Sequence, residues 1–150
     1  MYSMSFKNWL NEVTTIKHDE SDDNHYDKMM HSKFKMLTDQ NRLSKFGHIK
    51  NIELLSAMYP RGISVYFVQN NIPIGFSIVQ KDNWPEGPDK ITLIYINKEY
   101  RNQGIGGLFH EFLLEKGFTL KPDTLQTIAM QGLWKKLSLK YDKGDGNLSK

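Results

Sequence analysis

The stretch from Ile91 to Leu120 constrains the fold more than any other. Ile91-Thr92-Leu93-Ile94-Tyr95-Ile96 is apolar nearly throughout and β-branched, the pattern of a strand buried on both faces. A short polar loop follows, and Gly104-Ile105-Gly106-Gly107 then opens a helical pattern. Ile105, Leu108, Phe109, Phe112 and Leu113 lie on one face of it, with Glu111, Glu115 and Lys116 opposite and Gly117 at its end. His110, between Phe109 and Glu111, is assigned to the polar, solvent-facing side. Phe118-Thr119-Leu120 is apolar again and reads as a short strand. Strand, helix and strand at this spacing make a crossover unit, which joins parallel strands with one handedness. The chain must therefore build a sheet with at least one helix packed on it.

Upstream the period is that of antiparallel strands. Residues 63–68 and 74–79 are β-branched and aromatic, and Asn70-Asn71 between them is a hairpin turn. Residues 49–59 fit a strand through Ile52 and Leu54, or a helix through Ile52, Leu55 and Met58; the strand is expected. Pro60-Arg61-Gly62 is a turn, and residues 81–90, with Trp84, two prolines and Gly87, read as an exposed loop. Nearer the start, Phe6, Trp9, Leu10 and Val13 have helical spacing. A second helix, capped by Ser21 or Asp22, has the stripe Tyr26, Met29, Met30, Phe34 and Leu37. Residues 39–46 predict a short third helix ended by Gly47. The acidic run Asp19, Glu20, Asp22, Asp23 reads as a solvated turn; with His18 and His25 beside it, it lacks the glycine turn of a calcium loop.

At the other end Pro122-Asp123 predicts the start of a last helix, with Asp123 and Gln126 at capping-box spacing. Its stripe is Leu125, Ala129, Leu133 and Leu137, with Trp134 alongside. The polar, glycine-rich residues 142–150 read as a mobile tail. The expected architecture is one α/β (α+β) domain over 1–150. It has an N-terminal helical segment (1–47), a core (63–141), and a mixed, mostly antiparallel central sheet flanked by helices.

Composition removes whole classes of chemistry. The chain has 150 residues and no cysteine, so disulfides, cysteine-ligated zinc, iron–sulfur clusters and thiol nucleophiles are excluded. No apolar run approaches the roughly 20 residues of a membrane span, and the first residues lack a signal-peptide core, so a cytoplasmic protein without a membrane partner is expected. Net charge is +3, all of it from residues 61–150. An excess this small suits a slightly basic solvated surface. It leaves room for an anionic small-molecule partner and makes nucleic acid an unexpected one.

The chemistry is concentrated in Tyr100-Arg101-Asn102-Gln103-Gly104-Ile105-Gly106-Gly107-Leu108. A helix start leaves amides unpaired at the positive end of its dipole. Glycines let an anion approach them, and Arg101 adds a permanent charge. A P-loop requires Lys-Ser/Thr after the glycines, which is absent. A dinucleotide fingerprint requires a glycine where Phe109 stands and a loop shorter than the seven residues between Ile96 and Gly104. Two readings stay open: a phosphate or pyrophosphate site of another kind, and a glycine-rich helix start with no ligand.

Arg101-x-x-Gly104-x-Gly106, after a strand and before an amphipathic helix, resembles the acetyl-coenzyme A loop of the GNAT family of N-acetyltransferases. Gln126-Thr127 followed by Trp134-Lys135-Lys136-Leu137 is similar to the last helix of short members encoded by tailed bacteriophages. The resemblance covers about 63–141. It implies that Ile94 and Ile96 offer backbone groups to the pantetheine arm and the acetyl group. It implies too that Gln103, Gly104, Ile105, Gly106 and Gly107, with Arg101 near, hold the pyrophosphate, and that Thr127 sits by the pantetheine. The implied reaction is direct attack of an amine, on a small molecule or a protein, on the acetyl thioester, in the cytoplasm (of the host, for a phage-encoded chain). A homodimer is compatible with it.

The chain departs from the family pattern where the leaving thiolate is protonated. Trp134 stands where a tyrosine is common, and an indole N–H is not a usable acid. Tyr141 is the first replacement to test, with Tyr95 or a water behind it, and Glu53 is the candidate base. The two further strands usual in the family have at most 138–141 to draw on. The alternative to an enzyme is a catalytically inactive binding protein of the same fold, acting through a protein or nucleic-acid partner.

Overall fold

A computed structural model describes residues 14–15, 20–81, 87–122, 125–126, 128–142, 144 and 146–150. The elements in order are β1 (Thr14–Thr15), α1 (Glu20–Asp39), β2 (Ser44–Ile49), β3 (Ile52–Tyr59), β4 (Gly62–Gln69), β5 (Ile72–Lys81) and β6 (Asp89–Ile96). A 3₁₀ turn (Lys98–Tyr100), α2 (Ile105–Glu115), β7 (Leu120–Lys121), β8 (Leu125–Gln126) and α3 (Ile128–Tyr141) follow. Six strands form one sheet in the order β2-β3-β4-β5-β6-β7, antiparallel except for β6 with β7; β1 pairs with β8 in a separate parallel pair. This is a mixed α+β architecture with a mostly antiparallel sheet. Among the described residues no helix is long and apolar enough to cross a membrane.

The strand period sorts side chains onto two faces. On one face Ala57, Tyr66, Val68, Phe76 and Tyr95 meet the α1 stripe of Tyr26, Met29, Met30, Phe34 and Leu37. On the other, Leu54, Val65, Phe67, Ile74 and Val79 meet Ile105, Phe109 and Leu113 of α2 and Trp134, Leu137 and Tyr141 of α3. Central β4 and β5 are the strands buried on both faces, through residues 64–68 and 73–77. Strand β6 is not. Thr92 is exposed and Ile94 and Ile96 are half-buried: β7 pairs with Asp89 and Lys90 at the start of β6, and among the described residues no strand pairs with the outer edge of its second half, which borders a gap.

Turn chemistry holds the meander in register. Asn70 and Asn71 both have positive φ, 52° and 65°, as a two-residue hairpin turn of the primed kind requires. The short third helix expected over 39–46 does not form. Residues 44–49 are edge strand β2, and Gly47 lies at a register shift in it. A Cβ at Gly47 would fall on the ring of Phe112, so this glycine serves a close approach of α2 to the sheet and not a helix end.

The C-terminal end also differs from expectation. Leu125 and Gln126 form a strand and α3 begins at Ile128, so the expected capping box does not form. The tail is anchored: Leu148 is fully buried and exchanges both backbone hydrogen bonds with Leu120 at 2.8 Å, and Ser149 N donates to Tyr141 O at 3.2 Å. Residues 138–141 are helical and supply no further strand. The helix expected around Phe6, Trp9, Leu10 and Val13, and most of the 81–90 loop including Trp84, lie outside the described residues.

Candidate functional site

The site begins where β6 ends. Asn97 N donates to Ile74 O at 2.8 Å, and Ile96 and Ile94 sit opposite Gly75 and Ser77. Antiparallel pairs alternate between bonded and non-bonded, so the N–H and C=O groups of Ile94 and Ile96 point away from β5. Both Ile94 groups and the Ile96 N–H face the gap beside β7, while Ile96 O accepts from Arg101 Nε at 2.7 Å. The backbone then turns through Lys98–Tyr100, where the Asn97 side chain accepts from Glu99 N at 3.0 Å.

Two left-handed residues, Asn102 at φ 63° and Gly104 at φ 75°, bring the chain into α2. Gly104 is its N-cap and offers no side-chain cap; the first intrahelical bond is Leu108 N to Gly104 O at 3.0 Å. The amides of Ile105, Gly106 and Gly107 therefore end the helix without an internal acceptor, at its positive pole. Space is open around them. A Cβ at Gly104 would meet nothing within 4 Å, and one at Gly106 would reach only Ile94 Cδ1 at 3.8 Å. That last contact places the amide end beside the open edge of β6.

A cleft of about 510 Å³ lies against the same end of α2. Gln103, Gly104 and Gly107 line it together with Leu133, Lys136 and Lys140 of α3, and Lys50 from the turn between β2 and β3. Three lysines from two elements face one carboxylate there, that of Glu111. None of the three was named as a site residue from sequence. Lys136 and Lys140 could have been, since a four-residue spacing puts them on one helix face; nothing local marks Lys50.

Arg101 does not point at this opening. Its Nη2 and Nη1 donate to the two carboxylate oxygens of Asp23 at 2.6 and 3.2 Å, and its Nε donates to Ile96 O at 2.7 Å. Asp23 lies within α1 with its side chain 14% exposed, which corrects its assignment to a solvated turn. Among the described residues no group of three histidine or acidic side chains could hold a metal ion.

The structure brings Ile94, Ile96, Gln103, Gly104, Ile105, Gly106 and Gly107 together; Thr127 lies outside the described residues. It does not bring the two proposed catalytic groups to them. Tyr141 donates to Glu115 Oε1 at 3.3 Å, and Glu115 closes the far end of the 11-residue α2 from Gly104, about 16 Å along the axis. Glu53 sits on β3 between His48 and Val68, on the α1 face of the sheet. Three strand spacings, about 14 Å, separate it from β6. Tyr95 is also on the α1 face. It donates to Asp27 Oδ1 at 3.3 Å, and burial, with the Asp27 and Asp23 carboxylates, pushes its phenol up to about 12.

His110 is not on the surface. It is 1% exposed, its Nδ1 lies 2.7 Å from Gly106 O, and its ring meets Trp134 edge-on at 6.0 Å. Burial lowers its pKa to about 4, so the ring is neutral near pH 7 with Nδ1 the protonated nitrogen. The Gly106 carbonyl and the Trp134 ring, neither of them its chain neighbour, surround the imidazole, a relation that the residue's polar label concealed. Comparison of the chain with protein-family models, curated proteins and solved structures gives no match to any of the three.

Proposed function

We propose that this chain is an acetyl-coenzyme A-dependent N-acetyltransferase of GNAT type. The observation that carries the reading is the uncapped glycine start of α2 lying beside the open second half of β6. One feature takes a diphosphate and the other an extended amide chain, and few ligands need both. In this reading the amides of Ile105, Gly106 and Gly107 bind the pyrophosphate. The Ile94 and Ile96 edge pairs with the pantetheine arm as a strand would. Lys50, Lys136 and Lys140 supply positive charge for the remaining phosphate. Acetyl-coenzyme A supplies an activated acetyl thioester, which an amine can attack directly. The chain's own contribution is to bind and orient, since the residues named as acid and base stand elsewhere.

A second reading has its own support. Trp134 is 3% exposed and packed against His110, Tyr141 is bonded to Glu115, and Glu53 is on the other face of the sheet. A protein of this shape that binds the ligand without turning it over would look the same.

Calorimetric titration of acetyl-coenzyme A tests the first step, in wild type and in Gly106→Glu. The glutamate enters the first helical turn, where its charge suits the dipole, and it sets a carboxylate where the diphosphate would lie. Micromolar binding to wild type that is lost in the variant supports the site. A folded wild type that does not bind sinks the enzyme and the ligand-binder, and leaves a scaffold acting through a protein or nucleic-acid partner. Thiol release with a panel of amines then separates the enzyme from the binder.

A further inference from the structure

Two carboxylates on one face of α1, Asp23 and Asp27, hold the turn between β6 and α2 at both ends. Asp27 Oδ1 accepts from Asn97 Nδ2 at 2.9 Å and from Tyr95 OH at 3.3 Å. Asp23 takes the guanidinium of Arg101 in a two-point pair, and the same arginine donates to Ile96 O at 2.7 Å. Asn97 in turn accepts from Glu99 N. Ile96, Asn97, Glu99 and Arg101 are thus tied, directly or through one side chain, to a helix that lies on the opposite face of the sheet from α2.

We infer that α1 holds the glycine loop in its binding conformation through Asp23, which makes Asp23 a positioning residue for the ligand and Arg101 a strut in place of an anion contact. The guanidinium fork is already matched to a carboxylate, with Arg101 28% and Asp23 14% exposed in their side chains. Its Nε also occupies the carbonyl of Ile96, so of the open edge of β6 the Ile96 N–H and both Ile94 groups face the gap. The inference concerns a residue outside the span that resembles the acetyltransferases. It rests on the proposed ligand only for the choice of probe.

The two roles of Arg101 predict opposite signs. If Arg101 reached the anion, Asp23→Asn would release the guanidinium and remove a negative charge, and binding would tighten. If Asp23 holds the loop, the same change weakens binding by roughly tenfold, the scale of one lost charge-assisted pair. Asp23→Glu, which keeps the carboxylate, should recover most of that loss. Arg101→Lys, which keeps the charge but loses the fork, should weaken binding as Asp23→Asn does, and the double variant should lose little more than either single one.

The experiment pairs acetyl-coenzyme A calorimetry on these variants with amide hydrogen exchange of the ligand-free proteins. Faster exchange over residues 98–104 in Asp23→Asn, with β4 and β5 unchanged and binding weakened, is the expected result. Unchanged exchange in 98–104 overturns the inference whatever the ligand is. Equal or tighter binding by Asp23→Asn overturns it too. Failure of wild type to bind acetyl-coenzyme A at all removes the proposed function instead, and the loop-holding role of Asp23 then stands or falls on exchange.

Discussion

His110 Nδ1 lies 2.7 Å from the carbonyl oxygen of Gly106, one helical turn earlier, with the imidazole sealed from solvent. The N–H of a neutral ring satisfies this carbonyl at the helix start that carries the proposed anion site. A proton added to the ring would have to be carried without water around it. That relation makes the helix start sensitive to acid.

The sign follows from linkage. The folded-state pKa of His110 is about 4 against an ordinary 6.5, so between those values the unfolded chain binds more protons. The contribution of this residue is fully present above about pH 6.5 and is lost as pH falls through 4, to a limit of about 3 kcal/mol. Urea unfolding from pH 7 to pH 4 should show a steeper loss of stability in wild type than in His110→Leu. Parallel curves would exclude the depressed imidazole as the cause.

Gly47→Ala should destabilise the protein by about 1–3 kcal/mol, since its methyl group would land on the Phe112 ring. Phe112→Leu also costs stability alone, but the double variant should cost less than the two summed. Thermal unfolding of the four proteins measures the cycle.

Lys136→Glu and Lys140→Glu change exposed positions on the rim of the cleft. Stability should stay within about 0.5 kcal/mol of wild type. Binding of acetyl-coenzyme A should weaken, and its dependence on salt should become shallower, because part of the attraction is screened charge. Titrations at two salt concentrations check both effects; affinity equal to wild type would remove these lysines from the site.

Leu148→Ala should cost about 2–5 kcal/mol despite its place in a polar tail, because Leu148 is fully buried against Leu120. Chemical denaturation decides this directly. A change below 0.5 kcal/mol would mean that the tail is not anchored as described.

Much of the layout is legible in the chain. Residues 63–79 announce a hairpin through β-branched runs and two asparagines that tolerate positive φ. The α1 stripe and the α2 face are legible through their 3.6-residue period. Gly104, Gly106 and Gly107 are legible because only particular residues leave a helix start uncovered. The errors lie where a local pattern was open to a tertiary override. Gly47 resembled a helix stop, and Phe112, distant in sequence, makes it a strand glycine. His110 resembled a surface residue because its neighbour is Glu111, and Gly106 and Trp134 enclose it. Leu148 resembled tail, and Leu120 pairs with it.

By itself, then, the sequence determined the period of α1, α2 and the central hairpin, the crossover after β6 and the exposed amides at the start of α2, since backbone propensity and side-chain spacing act within a few residues. Only the tertiary structure decided what surrounds those amides. Asp23 meets Arg101 across 78 positions of chain, Lys50 meets the helix bearing Lys136 across the cleft, and Tyr141 and Glu53 are carried away from the loop. Contacts of that kind depend on how sheet faces and helix ends come together in space. No short stretch of chain encodes the distance between residues on different elements.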